Sequence, residues 1–392
     1  MSLSQGRAYL AIPGPSVMPD AVLQAMHRAS PNIYEGELHD LTHSLIPDLK
    51  DIAMTEGNVA IYIGNGHAAW EAALANTISA DDIVLVLATG PFCKDWGEMA
   101  QGLGARVETL DYGLQAPIDL VQVENVLAKD TEGRIKAVLA VHVDTATSVK
   151  NDIAGLRAVM DSLGHPALLM ADCIASLGCD RFEMDAWGVD VMVAACQKGL
   201  MTPAGVSFVW FNDRADAARG DRVTSYWDWR PRVNPELYSR YFDGTAPTHH
   251  LYGLRKALDL INAEGLDNVF DRHAKLAQVI WAAFDQWSTA GPLHMNIADP
   301  FNRSHAVTSV HIGSPHGDRL RKWCAHQCGL TLGIGLGQSP ADAYFRIGHM
   351  GHVNAHMIVG ILGTMDAGLK ALDVPHGAGA LAAAAKALAA RA

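Results

Sequence analysis

Apolar runs and polar breaks alternate along the first 265 residues in a pattern that predicts strands followed by helices. "VAIYIGNGHAAWEAALANTI" opens as a short β-rich run, passes a glycine turn at Gly64 and Gly66, and becomes a helix that begins near His67. "DIVLVLATG" reads as an apolar strand, "PFCKDWGEMAQGLG" as a helix ending in glycine, and "ARVETLDYG" as another strand. Three more apolar runs, "IKAVLAVHVDTATS", "PALLMADCIASLG" and "VDVMVAACQKG", each end in polar or small residues. Strands that are apolar throughout and alternate with helices argue for an α/β fold, a mainly parallel sheet covered on both faces. Upstream, "SVMPDAVLQAM" starts one helix and "LIPDLKDIAM" begins another.

After about residue 265 the rhythm changes. A long helix, "NVFDRHAKLAQVIWAAFDQW", is followed by the strand "AVTSVHI", a helix near 316–328 and the strand "AYFRIGHMG". This predicts a smaller α+β domain at 266–392 beside a large domain at 21–265. The alanine-rich tail "GAGALAAAAKALAARA" is helix-prone and carries no functional signal.

Composition narrows the class. A chain of 392 residues is long enough for two domains, and 49% hydrophobic with 18% charged residues is too apolar for disorder. No apolar run is long enough to span a bilayer, so no membrane partner is expected. A net charge of −12 gives no basic footprint for nucleic acid. Six cysteines in so long a chain are no disulfide scaffold, and no signal-like segment opens it, so a reducing, cytoplasmic location is expected. "CAHQC" at 324–328 places two thiols and a histidine on an amphipathic helix, a spacing that reads as structural cysteines and not as a metal site.

The candidate chemistry lies where the apolar runs stop, and ligands of such sheets bind outside the carboxyl ends of the strands. In "GNGHAAWEAALAN" small residues precede a helix N-terminus, which suits an anion; a merely structural glycine turn is the alternative. Asp172 ends one apolar strand, as a helix cap, an internal ion-pair partner or a counter-ion for a protonated ring nitrogen. Lys198 ends another, 26 residues later, either as a surface lysine or as a desolvated amine nucleophilic toward an aldehyde. Together the three match what pyridoxal phosphate requires: a Schiff-base lysine, an acid for the pyridine nitrogen and a phosphate site. Arg346, in "YFRIGHMG", offers bidentate geometry to the carboxylate of an amino or keto acid, or a structural ion pair.

These residues resemble the class V group of fold-type I pyridoxal-phosphate enzymes, in particular the alanine, serine and aspartate:glyoxylate aminotransferases. The likeness runs from "PGPSVMP" to "FRIGHMG" and is most specific in "DCIASLGCDRFEMDAWGVDVMVAACQKGLMTPAGVSFV", which is similar to the family's DGVSSLG, MDEWGIDV and SQKGLMLPPGLSFV. The resemblance implies a fold-type I transferase with a sheet of the seven-stranded type. It implies a Schiff-base role for Lys198, with Gln197 reaching the cofactor's phenolic oxygen and Thr145 hydrogen-bonding near it. Asp172 would keep the pyridine nitrogen protonated, with Ile174 and Phe92 on the two ring faces. Asn65, Gly66 and His67 match the phosphate loop, and Thr245 a phosphate contact from the neighbouring subunit of a homodimer. Arg346 matches the substrate-carboxylate arginine, and an N-terminal segment, residues 1–20, would line the same pocket around Gly14.

Two positions depart from the family. Phe242, with Tyr241 beside it, stands where a tyrosine is frequent three residues before that threonine. "YEGEL" at 34–38 replaces a segment "HRSP" expected at the mouth of the site; Glu35 there would disfavour acidic donors. The expected reaction is transamination between a small amino acid, of alanine, serine or aspartate type, and a 2-oxo acid such as glyoxylate or pyruvate. The alternatives are a ureidoglycine:glyoxylate or pyridoxamine:pyruvate aminotransferase, a cysteine desulfurase using Cys324 or Cys328, and a non-catalytic binding protein of the same fold.

Overall fold

The computed structural model describes residues 2–221 and 223–390. Met1 of the N-terminal segment, Arg222 of the large domain and the last two residues of the alanine-rich tail lie outside them. The first strand, β1 (Tyr9–Ala11), belongs to the smaller of two sheets. The larger sheet has seven strands, β2 (Asn58–Gly64), β3 (Ile83–Ala88), β4 (Arg106–Asp111), β5 (Ile135–Val141), β6 (Leu168–Asp172), β7 (Val191–Ala195) and β8 (Gly205–Phe211), in the order β2-β8-β7-β6-β5-β3-β4. The β3–β4, β3–β5, β5–β6 and β6–β7 pairs are parallel, and only β8 runs against its neighbours.

The uninterrupted apolar runs have a direct cause, since β3, β6 and β7 are buried along their whole length. Val84, Val86, Leu139, Met170 and Val193 pack toward one layer of helices, and Leu85, Leu87, Val138, Leu169 and Met192 toward the other. Each such side chain contributes roughly 1.5–3 kcal/mol by leaving water.

One expectation is corrected, and one strand was not anticipated. The second helix begins not at "LIPDLKDIAM" but at Glu37, and runs to Ala53 with Pro47 inside it. Pro47 removes one helical N–H, but Leu38, Thr42, Leu45, Leu49 and Ile52 form a buried stripe at helical spacing that holds the helix through it. Strand β8, "GVSFVWF", had no strand–helix–strand rhythm to mark it. It follows β7 through a short loop, 196–204, and so short a connection makes neighbouring strands antiparallel. Lys198 sits on that loop.

The smaller sheet has the order β1-β11-β12-β10-β9, with β9 (His294–Met295), β10 (Val307–His311), β11 (Leu330–Ile334) and β12 (Tyr344–Gly348). Strand β1 pairs in parallel with β11, so the N-terminal segment is stitched to residues more than 300 positions later. A separate apolar cluster, including Ile280, Phe284, Trp287, Phe345 and Leu362, fills the space between this sheet and the Leu266–Trp287 helix. Helix Thr248–Glu264 ends one residue before Gly265, which has φ +85°, and the long helix starts immediately after it. Cys324 and Cys328 both lie on the regular helix His316–Cys328, with Cys324 buried. No helix among the described residues is long and apolar enough to cross a membrane.

Candidate active site

Five strands deliver their carboxyl ends to one cavity of about 190 Å³. Asn65, Gly66 and His67 follow β2, Phe92 follows β3, Thr145 follows β5, Asp172 and Ile174 close β6, and Gln197 and Lys198 follow β7; all of them line it. Asn65 caps the helix Gly66–Thr77, its side-chain oxygen accepting from His67 N–H at 3.1 Å. The positive end of the helix dipole thus stands at the cavity that Gly66 and His67 line. Gly66 is required by close approach: a Cβ there would stand 2.3 Å from Ile174 Cδ1.

The charges are arranged around Lys198. Burial, and after it the nearby Arg346 guanidinium, push the Lys198 amine down from 10.5 to about 8, against the pull of Asp172. Its Nζ donates to the Pro13 carbonyl, and Ser16 Oγ donates to the Lys198 carbonyl at 2.6 Å. A Cβ at Gly14 would fall 2.5 Å from Lys198 Cδ, Cε and Nζ, so the N-terminal segment is packed directly against the amine. Asp172 is buried, and burial raises its carboxyl to about 7. The N–H of Ile174 at 2.6 Å and the indole N–H of Trp70 at 3.0 Å oppose that rise. A second buried carboxyl, Asp144, is pushed up to about 6 by burial while accepting from the backbone of Ala146, Thr147 and Phe92.

Arg346 is on β12, and its guanidinium reaches across to donate to the Thr145 carbonyl at 2.8 Å and to the Ile334 carbonyl at 2.7 Å. Burial pushes its guanidinium down to about 10 and the Asp144 carboxylate opposes that, while no ion pair to it within 4.0 Å forms among the described residues. Gln197 Oε1 is buried without a hydrogen-bond partner among the described residues.

The structure does not bring Glu35, Thr245, Tyr241 or Phe242 to this cavity. Glu35 is exposed in the turn before the helix Glu37–Ala53, and Thr245 is exposed as well. Their neighbours Tyr34, Gly244 and Ala246 line a different cleft of about 540 Å³, together with His39, Tyr238 and Tyr241, and Phe242 is in the core. The effect of Glu35 on donor choice therefore has no support from its position within one chain. Sequence reasoning missed Trp70 and Asp144. Gly66 and Trp70 are four residues apart and share a helix face, but a tryptophan there reads as core packing; Asp144 carried no signal beyond adjacency to Thr145.

A half-buried amine of lowered basicity, a buried acid and a guanidinium without an ion-pair partner among the described residues meet at the strand ends of an α/β sheet, a set suited to chemistry on carbonyl and amino groups. The aminotransferase class-V family matches residues 8–353, and the chain belongs to that family of aminotransferases. It is 36% identical over 372 residues to a serine–glyoxylate aminotransferase of Hyphomicrobium methylovorum, covering 92% of this chain and 89% of that one. It is 32% identical over 372 residues to an L-aspartate–glyoxylate aminotransferase of Paracoccus denitrificans, covering 93% and 91%. Among solved structures, the ureidoglycine-glyoxylate aminotransferase of Bacillus subtilis superposes with a TM-score of 0.88 over 99% of both chains, at 24% identity, a likeness of fold.

Proposed function

We propose that this aminotransferase uses pyridoxal phosphate to move an amino group from a small neutral amino acid, serine or alanine, to glyoxylate or a similar 2-oxo acid. The observation that carries the reading is the convergence of Lys198, Asp172 and the Gly66 helix N-terminus on one cavity, with Arg346 bound to its wall at Thr145. The residues fit the cofactor. The N-terminus of the Gly66–Thr77 helix, with His67, would hold the phosphate; Asp172 would take the ring nitrogen; and the unpartnered Gln197 Oε1 is a polar atom awaiting a donor.

Bound pyridoxal phosphate supplies an aldehyde that condenses with amines and a pyridinium ring that accepts electrons. Lys198 would be the residue that holds the cofactor by its aldehyde. Its Nζ, made less basic by burial and by Arg346, would serve as the base for the proton on the donor's Cα. Asp172, when ionised, would favour the protonated form of the ring nitrogen. Arg346 holds the substrate carboxylate through donors it does not spend on Ile334 and Thr145. Phe92 and Ile174, which both line the cavity, would pack on the flat ring. Thr245 would serve the cavity of a second copy in a homodimer, which accords with its exposure away from its own.

The glyoxylate acceptor draws support from the relatives, and the donor from the more similar of them being a serine enzyme. A panel of serine, alanine, glycine and aspartate against glyoxylate, pyruvate and oxaloacetate tests it. Serine or alanine with glyoxylate is expected to be fastest. Faster turnover with aspartate would overturn the donor class, and no turnover with any pair would overturn the reaction.

A further inference from the structure

Asp172 can stabilise a protonated ring nitrogen only while it is itself ionised, and its surroundings work against that. It is 3% exposed, and a carboxylate removed from water favours its neutral form. The buried Asp144 adds a like charge nearby. Two donors offset this, one on each oxygen: Ile174 N–H on Oδ1 at 2.6 Å, and the Trp70 indole N–H on Oδ2 at 3.0 Å. A carboxylate has about four lone-pair sites, so each oxygen keeps capacity for a partner inside the cavity it lines.

The two donors differ in origin. The Ile174 amide belongs to the same turn as Asp172 and moves with it. Trp70 stands on the Gly66–Thr77 helix, four residues from Gly66, and is held on three sides. It stacks on Trp96 with centroids 6.0 Å apart and planes at 16°, meets Phe92 edge-on at 6.3 Å, and contacts the His67 ring at 4.5 Å. It is 1% exposed, and these ring contacts hold the indole beside Asp172. The helix whose N-terminus would hold the phosphate therefore also carries the side chain that donates to the acid proposed for the ring nitrogen.

We infer that Trp70 is a positioning residue that locks Asp172 in the orientation and charge in which it meets the ring nitrogen of the cofactor, coupling the phosphate end of the site to the ring end through one helix. This rests on the pyridoxal-phosphate reading above. A hydrogen bond to a buried charged group is worth about a tenfold change in affinity or more.

The test uses apoprotein titrated with pyridoxal phosphate, read by visible absorbance for affinity, and by the NMR resonance of ¹⁵N-labelled pyridoxal phosphate for protonation of the ring nitrogen. Trp70→Phe removes the donor and keeps most of the packing. Introducing 3-benzothienylalanine at position 70, which carries sulfur where tryptophan carries N–H, removes the donor with the shape intact and decides the matter should Trp70→Phe not fold. Trp96→Phe loosens the same stack without touching the donor. The inference predicts about tenfold weaker binding and a ring-nitrogen resonance moved toward the unprotonated position for both position-70 variants, and an unmoved resonance for Trp96→Phe. An unmoved resonance in either position-70 variant overturns it, even where affinity falls. Wild-type protein that takes up no pyridoxal phosphate would instead overturn the cofactor reading beneath it.

Discussion

Replacing Gly14 by alanine probes how the active amine is placed. Gly14 has φ +94°, and the Cβ of Gly14→Ala would stand 2.5 Å from each of Lys198 Cδ, Cε and Nζ. Two costs follow. An L-residue in left-handed backbone loses about 1–2 kcal/mol. Forcing a methyl into a packed site adds roughly 1–3 kcal/mol, unless the neighbour can move. Here it can, because the obstructing atoms are the far end of a flexible side chain. The second cost is therefore relieved by swinging Nζ off the Pro13 carbonyl, and it reappears as a misplaced nucleophile. With an unfolding entropy of about 2.1 cal/mol/K per residue, 1–2 kcal/mol lowers the melting temperature by only about 1–3 °C. A displacement of about 1 Å at a reacting group costs on the order of 100-fold in rate. The assay pairs a melting curve of the apoprotein with the single-turnover rate of the half-reaction, from cofactor-loaded enzyme and serine. Near-native melting with about 100-fold slower turnover is expected. Native turnover in Gly14→Ala would refute the idea that this backbone sets the position of Lys198.

Three further outcomes follow from the same geometry. Because Lys198 is lowered to about 8, the rate at which apoprotein captures pyridoxal phosphate rises with pH through a midpoint near 8, as protonated amine becomes free amine; a midpoint near the ordinary 10.5 contradicts it. Arg346→Gln removes the second-largest cause of that lowering, so the midpoint moves upward, while KM for the donor rises tenfold or more from loss of the guanidinium grip; an unchanged midpoint and KM would place Arg346 outside the site. Gly66→Ala pushes on Ile174 Cδ1 from 2.3 Å, and weakens pyridoxal-phosphate binding about tenfold while the melting temperature holds within about 2 °C, since only a side-chain end must yield; equilibrium titration against wild type decides.

The parts of the site that were legible in the sequence are those at strand ends. "MADC" puts a charge directly after, and "AACQKG" within one polar residue of, a run too apolar to lie anywhere but in the core, and the structure buries Met170, Ala171, Ala194 and Ala195 as that pattern requires. Trp70 was illegible because a tryptophan within a helix reads as core packing; its N–H matters only through Asp172, which lies 102 positions away and on another element. Strand β8 and the start of the Glu37–Ala53 helix were missed for a related reason. A hairpin return lacks the strand–helix alternation, and Pro47 looks like a helix start until the stripe before it is seen to be buried. Glu35 and Thr245 came only from resemblance, and a single chain leaves both exposed at a distance from Lys198.

The central claim is that Lys198 is the amine which receives the cofactor's aldehyde. Loading the protein with pyridoxal phosphate, reducing with sodium borohydride to fix the amine to the aldehyde carbon, and sequencing the labelled peptide by mass spectrometry tests it directly. The account predicts one phosphopyridoxyl group, on Lys198, absent from Lys198→Ala. A label on another lysine, or full turnover and unchanged visible absorbance in Lys198→Ala, would contradict it.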